Sequence, residues 1–550
     1  MHIDSSSTTT RNGKTYRRHL LRTSYREDGK VKKRTIANLS QCSEEEISAI
    51  RLALQHRADL GLLGNAKQSI EIKQGLSIGA VLCVYQVAQR LGIVNALGST
   101  REGKLALWQV MARVIDQGSR LSAVRLAIQH AGCEVIGLQG FNEEHLYKNL
   151  KWIWEQQDEI ENRLYRRRYD KDKPNLFLYD VTSAYLEGQQ NELGAFGYNR
   201  DKKRGKQQIV IGLMCDVEGE PITVQAFEGN TNDTETFGYQ VKKVSVRFGG
   251  GSITFVGDRG MIKAPQIKDL KEEDFYFITA ITKPQIEKLL KAGTLQLSLF
   301  DEEVAEVQCK DNTRLILRRN SIRMQDIRAT RASKLQTVEA FVANQNQYLN
   351  DHTKAKAETA VKKVSAMMSK LKLSWLMVDC KERILSLRND VEALQEIEKL
   401  DGCYAIKTDL LKEQASKHIV HDRYKDLALV EQGFRTSKTA HLEMRPIYVR
   451  CEESTRAHVF VVMLAYKIIR ELTRCWKEFD LTVEEGLKQL TTLCAQTVTI
   501  KDSQTVFNSI PTPNDSLQQL FSAANISIPG ALPKRTVRVV TRKKLSDERK

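Results

Sequence analysis

The sequence predicts an α/β protein: a mixed sheet with flanking helices, interrupted by an inserted domain and preceded by a mostly helical region. Three observations carry this expectation. Between Cys42 and about Arg168, apolar residues recur at the 3.6-residue spacing of amphipathic helices. From Pro174 onward, short apolar runs alternate with amphipathic stretches in the order strand, hairpin, helix, strand, helix, strand, as in a mixed α/β sheet. Residues 283–400 then break that order before the strand-like DGCYAIKTDL (401–410) resumes it. At about 150 residues per domain, a chain of 550 residues holds three or four structural units.

In chain order, residues 12–38 read as two strand-like runs joined by the turn Glu27-Asp28-Gly29. Ser43 followed by Glu46 forms a capping-box pattern that opens the first helix. Apolar stretches at 79–97 and 105–128 continue the helical unit. NLFLYDVTSAYL (175–186) reads as a buried strand. IVIGLMCDVEGEPITVQAFEG (209–229) reads as two strands around a turn at Val217–Pro221. Asp233 opens a helix, Gly249-Gly250-Gly251 ends it, SITFVGDRGM (252–261) is a strand, and DFYFITAI (274–281) another. Within 283–400 a few alternating strands are followed by long helical stretches around 336–372 and 383–400. One helical run spans 422–439 and a final apolar helix 454–475; the proline-bearing tail after about 500 reads as loosely structured. The expected division is a basic β-arm (1–41), a helical domain (42–170), a core in two parts (171–282 and 401–478), an insertion (283–400) and a C-terminal region with a basic tail (479–550).

The formal charge is +17, and it is concentrated. Residues 1–40 carry net +7, residues 534–550 net +6 and the stretch RDKKRGK (200–206) net +4, which together account for all of it. Such patches point to a long polyanion met at separate points. The 41% hydrophobic content excludes wholesale disorder. The longest apolar run, 459–469, is too short for a membrane span and is broken by Lys467. The polar N-terminus has no signal-peptide core, and ten scattered cysteines without a CxxC pair read as reduced thiols. The expectation is a cytoplasmic protein, nucleoid-associated when bound to DNA, with no membrane partner.

Three carboxylates stand out by position. Asp180 closes the apolar run NLFLY, Asp258 closes ITFVG, and Glu431 lies in the helical DRYKDLALVEQGFRTSK. Acids at the ends of buried strands sit at the rim where open α/β sheets bind ligands. Two of them plus a helix-borne third suit hard divalent cations, Mg²⁺ or Mn²⁺. Two such ions, about 3.5–4 Å apart, act on both oxygens of an in-line phosphodiester displacement. Tyr424, Glu431 and Lys438 recur every seven residues and so share one helix face. The plainer reading of Glu431 is an ion pair with Arg435 at i+4.

LYDVTSAYLEG (178–188), GNTNDTETF (229–237), VGDRGM (256–261), DGCYAIKTDL (401–410) and YKDLALVEQGFRTSKTAHLEMRPIYVR (424–450) resemble a bacterial insertion-sequence transposase of the DDE type, in the insertion-sequence-four superfamily. That superfamily's signature is Tyr, two residues, Arg, three residues, Glu, six residues, Lys. Tyr424, Glu431 and Lys438 fit every interval, while Leu427 stands at the Arg position. Arg423, Lys425 and Arg435 are the candidates to replace it.

The resemblance implies an RNase H-like catalytic core, with Asp180 on its first strand, Asp258 just after its fourth and Glu431 on a helix that returns after a mainly β insertion. It implies catalytic and metal-ligand roles for Asp180, Asp258 and Glu431, with two Mg²⁺ or Mn²⁺ per active site. It further implies DNA contacts by Tyr424 and Lys438. Arg435 and the loop cations Arg200, Lys202, Lys203 and Arg204 are the remaining DNA-binding candidates. Trp375 is a candidate for the base-holding Trp that some relatives carry in the insertion. The implied activity is cleavage of element ends and transfer of the 3′-OH to target DNA, with terminal inverted repeats and target duplex as partners and a homodimer on DNA. A catalytically inactive DNA-binding derivative and a different RNase H-like nuclease are the competing readings.

Overall fold

The structure, a computed structural model, describes residues 1–10, 15–55, 70–170, 173–201, 203–247, 253–438, 442–445, 447–500, 505–532, 537 and 539–541. The glycine run 249–251 and Lys202 lie outside the described residues.

Three antiparallel strands open the chain: β1 (His2–Thr9), β2 (Thr15–Glu27) and β3 (Lys30–Asn38). The turn between β2 and β3 is the Asp28-Gly29 pair, both at positive φ (52° and 74°), as a two-residue hairpin requires. β1 is an addition to the two strands read from the sequence; its run of Ser and Thr carries no apolar alternation. Ser43 and Glu46 cap the next helix reciprocally, through Glu46 N–H to Ser43 Oγ (3.2 Å) and Ser43 N–H to Glu46 Oε2 (2.7 Å). After β4 (Ile70–Ser77) come helices at Gly79–Arg90, Ile93–Leu97, Arg101–Ile115, Arg120–Gln129, Gly132–Ile136 and Glu143–Arg168.

The centre of the molecule is an eight-stranded mixed sheet. Its strands are β5 (Leu176–Tyr185), β6 (Gln208–Cys215), β7 (Pro221–Glu228), β8 (Thr254–Gly257), β9 (Tyr276–Ala280), β10 (Ala305–Gln308), β11 (Arg314–Arg319) and β14 (Cys403–Thr408). They lie in the order β10-β11-β14-β9-β8-β5-β6-β7. β5, β8 and β9 are parallel, and β6, β7, β14, β11 and β10 join antiparallel. The parallel strands are near-continuous apolar runs because both sheet faces are covered.

Side-chain alternation divides the two faces. Phe177, Tyr179, Phe255 and Phe277 pack under helices Asp233–Arg247 and Ala264–Glu272, against Phe237, Val241 and Leu270. Leu178, Val256, Ile211 and Leu213 face the other way, toward helices Leu427–Lys438 and Glu452–Cys475. The apolar run 459–469 lies inside the second of these, which packs against β7 and against helices Arg101–Ile115 and Glu143–Arg168. It therefore joins the helical unit to the sheet.

Four expectations need correction. The segment 283–400 places β10 and β11 on the edge of the central sheet, and β14 bridges them to β9. Its helices, Ser321–Asp351 and Ala357–Leu371, form a separate cluster with the hairpin β12 (Leu376–Lys381) and β13 (Ile384–Asn389). Residues 384–389, expected to be helical, are strand because Glu382 and Arg383 turn the chain at positive φ (49° and 65°). The run 422–439 is two helices, Lys417–Lys425 and Leu427–Lys438, parted at Asp426, whose carbonyl accepts from Leu429 N–H (2.9 Å). Residues 505–532 are built in, while most of the basic tail 534–550 lies outside the described residues: β15 (Cys494–Ile500) pairs with both β4 and β16 (Thr505–Ser509). Helix Asp515–Ala523 follows, its Leu520 carbonyl accepting from Trp476 Nε1 (3.0 Å). Among the described residues no helix is long and apolar enough to cross a membrane.

Candidate active site

Asp180 and Asp258 arrive on neighbouring parallel strands. The register pairs Tyr179 with Gly257, so the two aspartates are the next residues on each strand. Both follow a residue on the phenylalanine-rich face by one position, which turns them toward helix Leu427–Lys438. β8 stops at Gly257, whereas β5 runs on to Tyr185 and pairs Asp180 with Leu213 of β6. Asp180 is thus inside its strand, level with the end of the neighbour, and the sequence reading that placed it at a strand end is corrected. Val181 and Thr182, β-branched and buried, carry the strand onward.

The third carboxylate comes from above. Val430, Gly433, Phe434 and Ser437 are the buried side of helix Leu427–Lys438. A Cβ on Gly433 would meet Leu213 Cδ2 at 3.2 Å and the Tyr466 ring at 3.3 Å, so glycine lets this helix lie close on β6. Glu431 is exposed beside that buried side.

The three carboxylates act on one another through their charges. Burial, opposed by the Val181 N–H that donates to Asp180 Oδ1 (2.8 Å), pushes the Asp180 carboxyl up, and the charges of Glu431 and Asp258 push it further, to about 7. Arg200 acts in the opposite direction. Asp258 is exposed; its Oδ1 accepts from Arg259 N–H (2.8 Å) and from Tyr424 O–H (3.2 Å). Burial and the adjacent Asp258 raise the proton affinity of the Tyr424 phenol.

Lys438 closes the other end of the helix. Its Nζ donates to Thr182 Oγ1 (2.8 Å) and pairs with Asp201 (2.7 Å). Burial lowers its proton affinity against the opposing effect of Asp201. Asp201 also pairs with Arg445 and accepts from Tyr185 N–H (3.3 Å). Arg200 is held by Asp233 Oδ1 at 2.6 Å. Lys203 stands 5.6 Å from the Tyr185 ring centre, Arg204 and Arg435 are exposed, and Lys202 lies outside the described residues. Leu427 begins its helix and packs on the core, which suits an apolar side chain at that position. Trp375 is 3% exposed in the cluster of the inserted helices, where no base can reach its ring.

Asp201, Asp233, Thr182 and Arg259 were not singled out as site residues from the sequence. The one available signal for Asp201 is its isolation, a single acid inside RDKKRGK. Among the described residues no group of three or more His, Cys, Asp or Glu is gathered closely enough to hold a metal ion. The donor chemistry of Asp180, Asp258 and Glu431, three carboxylates, is that of a hard divalent-cation ligand set, and Glu431 and Asp258 both act on the Asp180 carboxyl, whose rise comes first from burial.

A Transposase DDE domain family model matches residues 171–468, more than half of the chain, and the chain belongs to that family. An IS1634 family transposase N-terminal domain model matches residues 5–61. The protein is therefore a DDE transposase of an insertion-sequence family. No curated protein matches the chain. Among solved structures, a cryo-EM structure of a piggyBac transposase synaptic complex with hairpin DNA is similar at a TM-score of 0.36 and 9% identity, over 70% of this chain and 69% of that one. That likeness is too slight to argue from. The mixed eight-stranded sheet with flanking helices, together with the DDE domain, fits an RNase H-like core.

Proposed function

We propose that this chain, as a member of the insertion-sequence-four superfamily, binds the terminal inverted repeats of its element, cleaves their phosphodiesters and transfers the 3′-OH ends to target DNA. Asp180, Asp258 and Glu431 are the catalytic residues and hold two Mg²⁺ or Mn²⁺ ions. The observation that supports the reading is the placement of these carboxylates: Asp180 and Asp258 each follow one of the paired residues Tyr179 and Gly257 of β5 and β8, and Glu431 acts on the Asp180 carboxyl. When bound, the ions supply charge neutralisation for the attacking and leaving oxygens of an in-line displacement.

The protein's own residues do the positioning. Val181 N–H and Arg259 N–H each fix one carboxylate oxygen, of Asp180 and Asp258 respectively. Tyr424 orients Asp258 through its hydroxyl, and Lys438 ties the end of the Glu431 helix to β5 through Thr182. Arg435, four residues after Glu431 on its helix, Arg200, which acts on Asp180, and the loop cations Lys203 and Arg204 supply the positive charge that a phosphate backbone requires. A homodimer on DNA, which brings two ends together, and a cytoplasmic, nucleoid-associated location complete the proposal.

Labelled element-end duplex incubated with the protein, Mg²⁺ or Mn²⁺ and a target plasmid tests it. The expected products are nicked ends followed by end–target joints. Binding without cleavage in either metal would overturn the catalytic reading, and cleavage without joints would overturn the transfer step.

A further inference from the structure

The loop between β5 and β6 carries groups that the carboxylate site does not use. Phe196 and Tyr198 are 64% and 81% exposed, yet their backbone is firmly held. Ala195 and Gln208 exchange backbone hydrogen bonds at 3.2 and 3.0 Å. The buried Gln208 side chain donates to the carbonyls of Tyr198 (3.2 Å) and Gly229 (2.8 Å). Gly197 lies so close to Gly229 that a Cβ would stand 2.2 Å from its carbonyl oxygen. Arg200 N–H donates to Ser183 Oγ (3.0 Å), three residues beyond Asp180. A fixed backbone that leaves two large rings in water forgoes their burial, and exposed apolar surface of this kind marks an interaction site.

One cation lies against Tyr198, and others lie against Tyr185 of β5 or on the same loop. The Arg200 guanidinium lies 5.6 Å from the Tyr198 ring centre. Lys203 and Arg445 lie 5.6 and 6.0 Å from that of Tyr185, and Arg204 is exposed on the same loop. Aromatic rings interleaved with cations suit single-stranded nucleic acid, whose bases stack on the rings while the cations track its phosphates. A duplex keeps its base faces closed against each other and gains little from such rings. Because Arg200 N–H is bonded to Ser183 of β5, three residues beyond Asp180, the loop borders the carboxylate site.

From this geometry we infer that Phe196 and Tyr198 form a stacking platform for unpaired bases of the DNA that enters the site. The inference rests on the transposase reading, since it takes DNA as the ligand.

Fluorescence anisotropy of the full chain in EDTA, with a labelled oligothymidine and a duplex of equal length, tests it apart from cleavage. Y198A is expected to weaken oligothymidine binding about five-fold or more and duplex binding less than about two-fold, with F196A acting in the same direction. Y198F, which keeps the ring, should bind as the wild type does. Unchanged oligothymidine binding in Y198A and F196A, or equal losses on both probes, would overturn the platform while leaving the transposase reading intact. A changed oligomeric state without a changed DNA affinity would mark the rings as a subunit contact and also overturn it. Failure of the wild-type chain to bind either probe would overturn both readings.

Discussion

Asp201 sits among five basic residues in a seven-residue stretch, yet its side chain is buried and tied to Lys438 and Arg445. It fastens the basic loop to the end of the helix that carries Glu431. Removing it leaves the largely buried Lys438 ammonium without its carboxylate, and breaking one side of such a pair costs about 3 kcal/mol. D201A should therefore lower stability by about that amount in a denaturant titration and cut end cleavage more than duplex binding. Part of this scale was legible in the sequence: Asp180 and Asp258 follow paired residues of neighbouring strands, Glu431 acts on the Asp180 carboxyl, and Tyr424 reaches Asp258. Asp201 was not legible, because its meaning depends on a loop folding back on β5, and no local pattern encodes that. Leu427, anomalous against the superfamily signature, is ordinary once its packing on the core is seen.

At the scale of the element, Glu431 is placed by how closely its helix approaches β6. Gly433 permits that approach, with 3.2 Å between a notional Cβ and Leu213. A branched side chain there overpacks the contact, so G433V should cost about 1–3 kcal/mol in denaturant stability. It should also reduce cleavage beyond its effect on DNA binding, because the helix moves away from Asp180 and Asp258. Periodicity found this helix but not its beginning. Tyr424 lies on helix Lys417–Lys425 and Glu431 and Lys438 on the next, so the single shared face expected from their seven-residue spacing is corrected; apolar spacing alone does not register the turn at Asp426. β5 was found as a buried run, though its continuation beyond Asp180 depends on pairing with β6. The hairpin β12–β13 was hidden inside a helical reading because its turn uses Glu382 and Arg383, residue types that do not announce positive φ.

At the scale of the whole molecule, helix Glu452–Cys475 is the join between helical unit and sheet, and its polar contacts with the β6–β7 turn are internal. Lys467 and Arg470 both pair with the buried Glu220. Glu220 is lowered from the usual 4.5 by these cations, against the cost of its burial. Its contribution to stability is thus complete above pH 4.5 and is lost as pH falls through the lower folded-state value. E220Q should unfold about 3 kcal/mol more easily at neutral pH, and that deficit should shrink in acid, as read by denaturant titrations across the acid range. The order of strands, hairpin and helices in 174–281 was legible from alternation and turns. The extension of the sheet by β10, β11 and β14 was not, nor was the sheet joining β4 to β15 and β16. Those pairings connect residues far apart in the chain, and each strand alone carries only a weak local signal.

The joint catalytic role proposed for Asp180, Asp258 and Glu431 is the centre of the account, and single-residue removal tests it most directly. Cleavage of labelled end duplex in Mg²⁺ or Mn²⁺ should be abolished in each of D180A, D258A and E431A, while anisotropy shows binding of the same duplex largely intact. Wild-type cleavage by any one of the three variants would contradict the assignment.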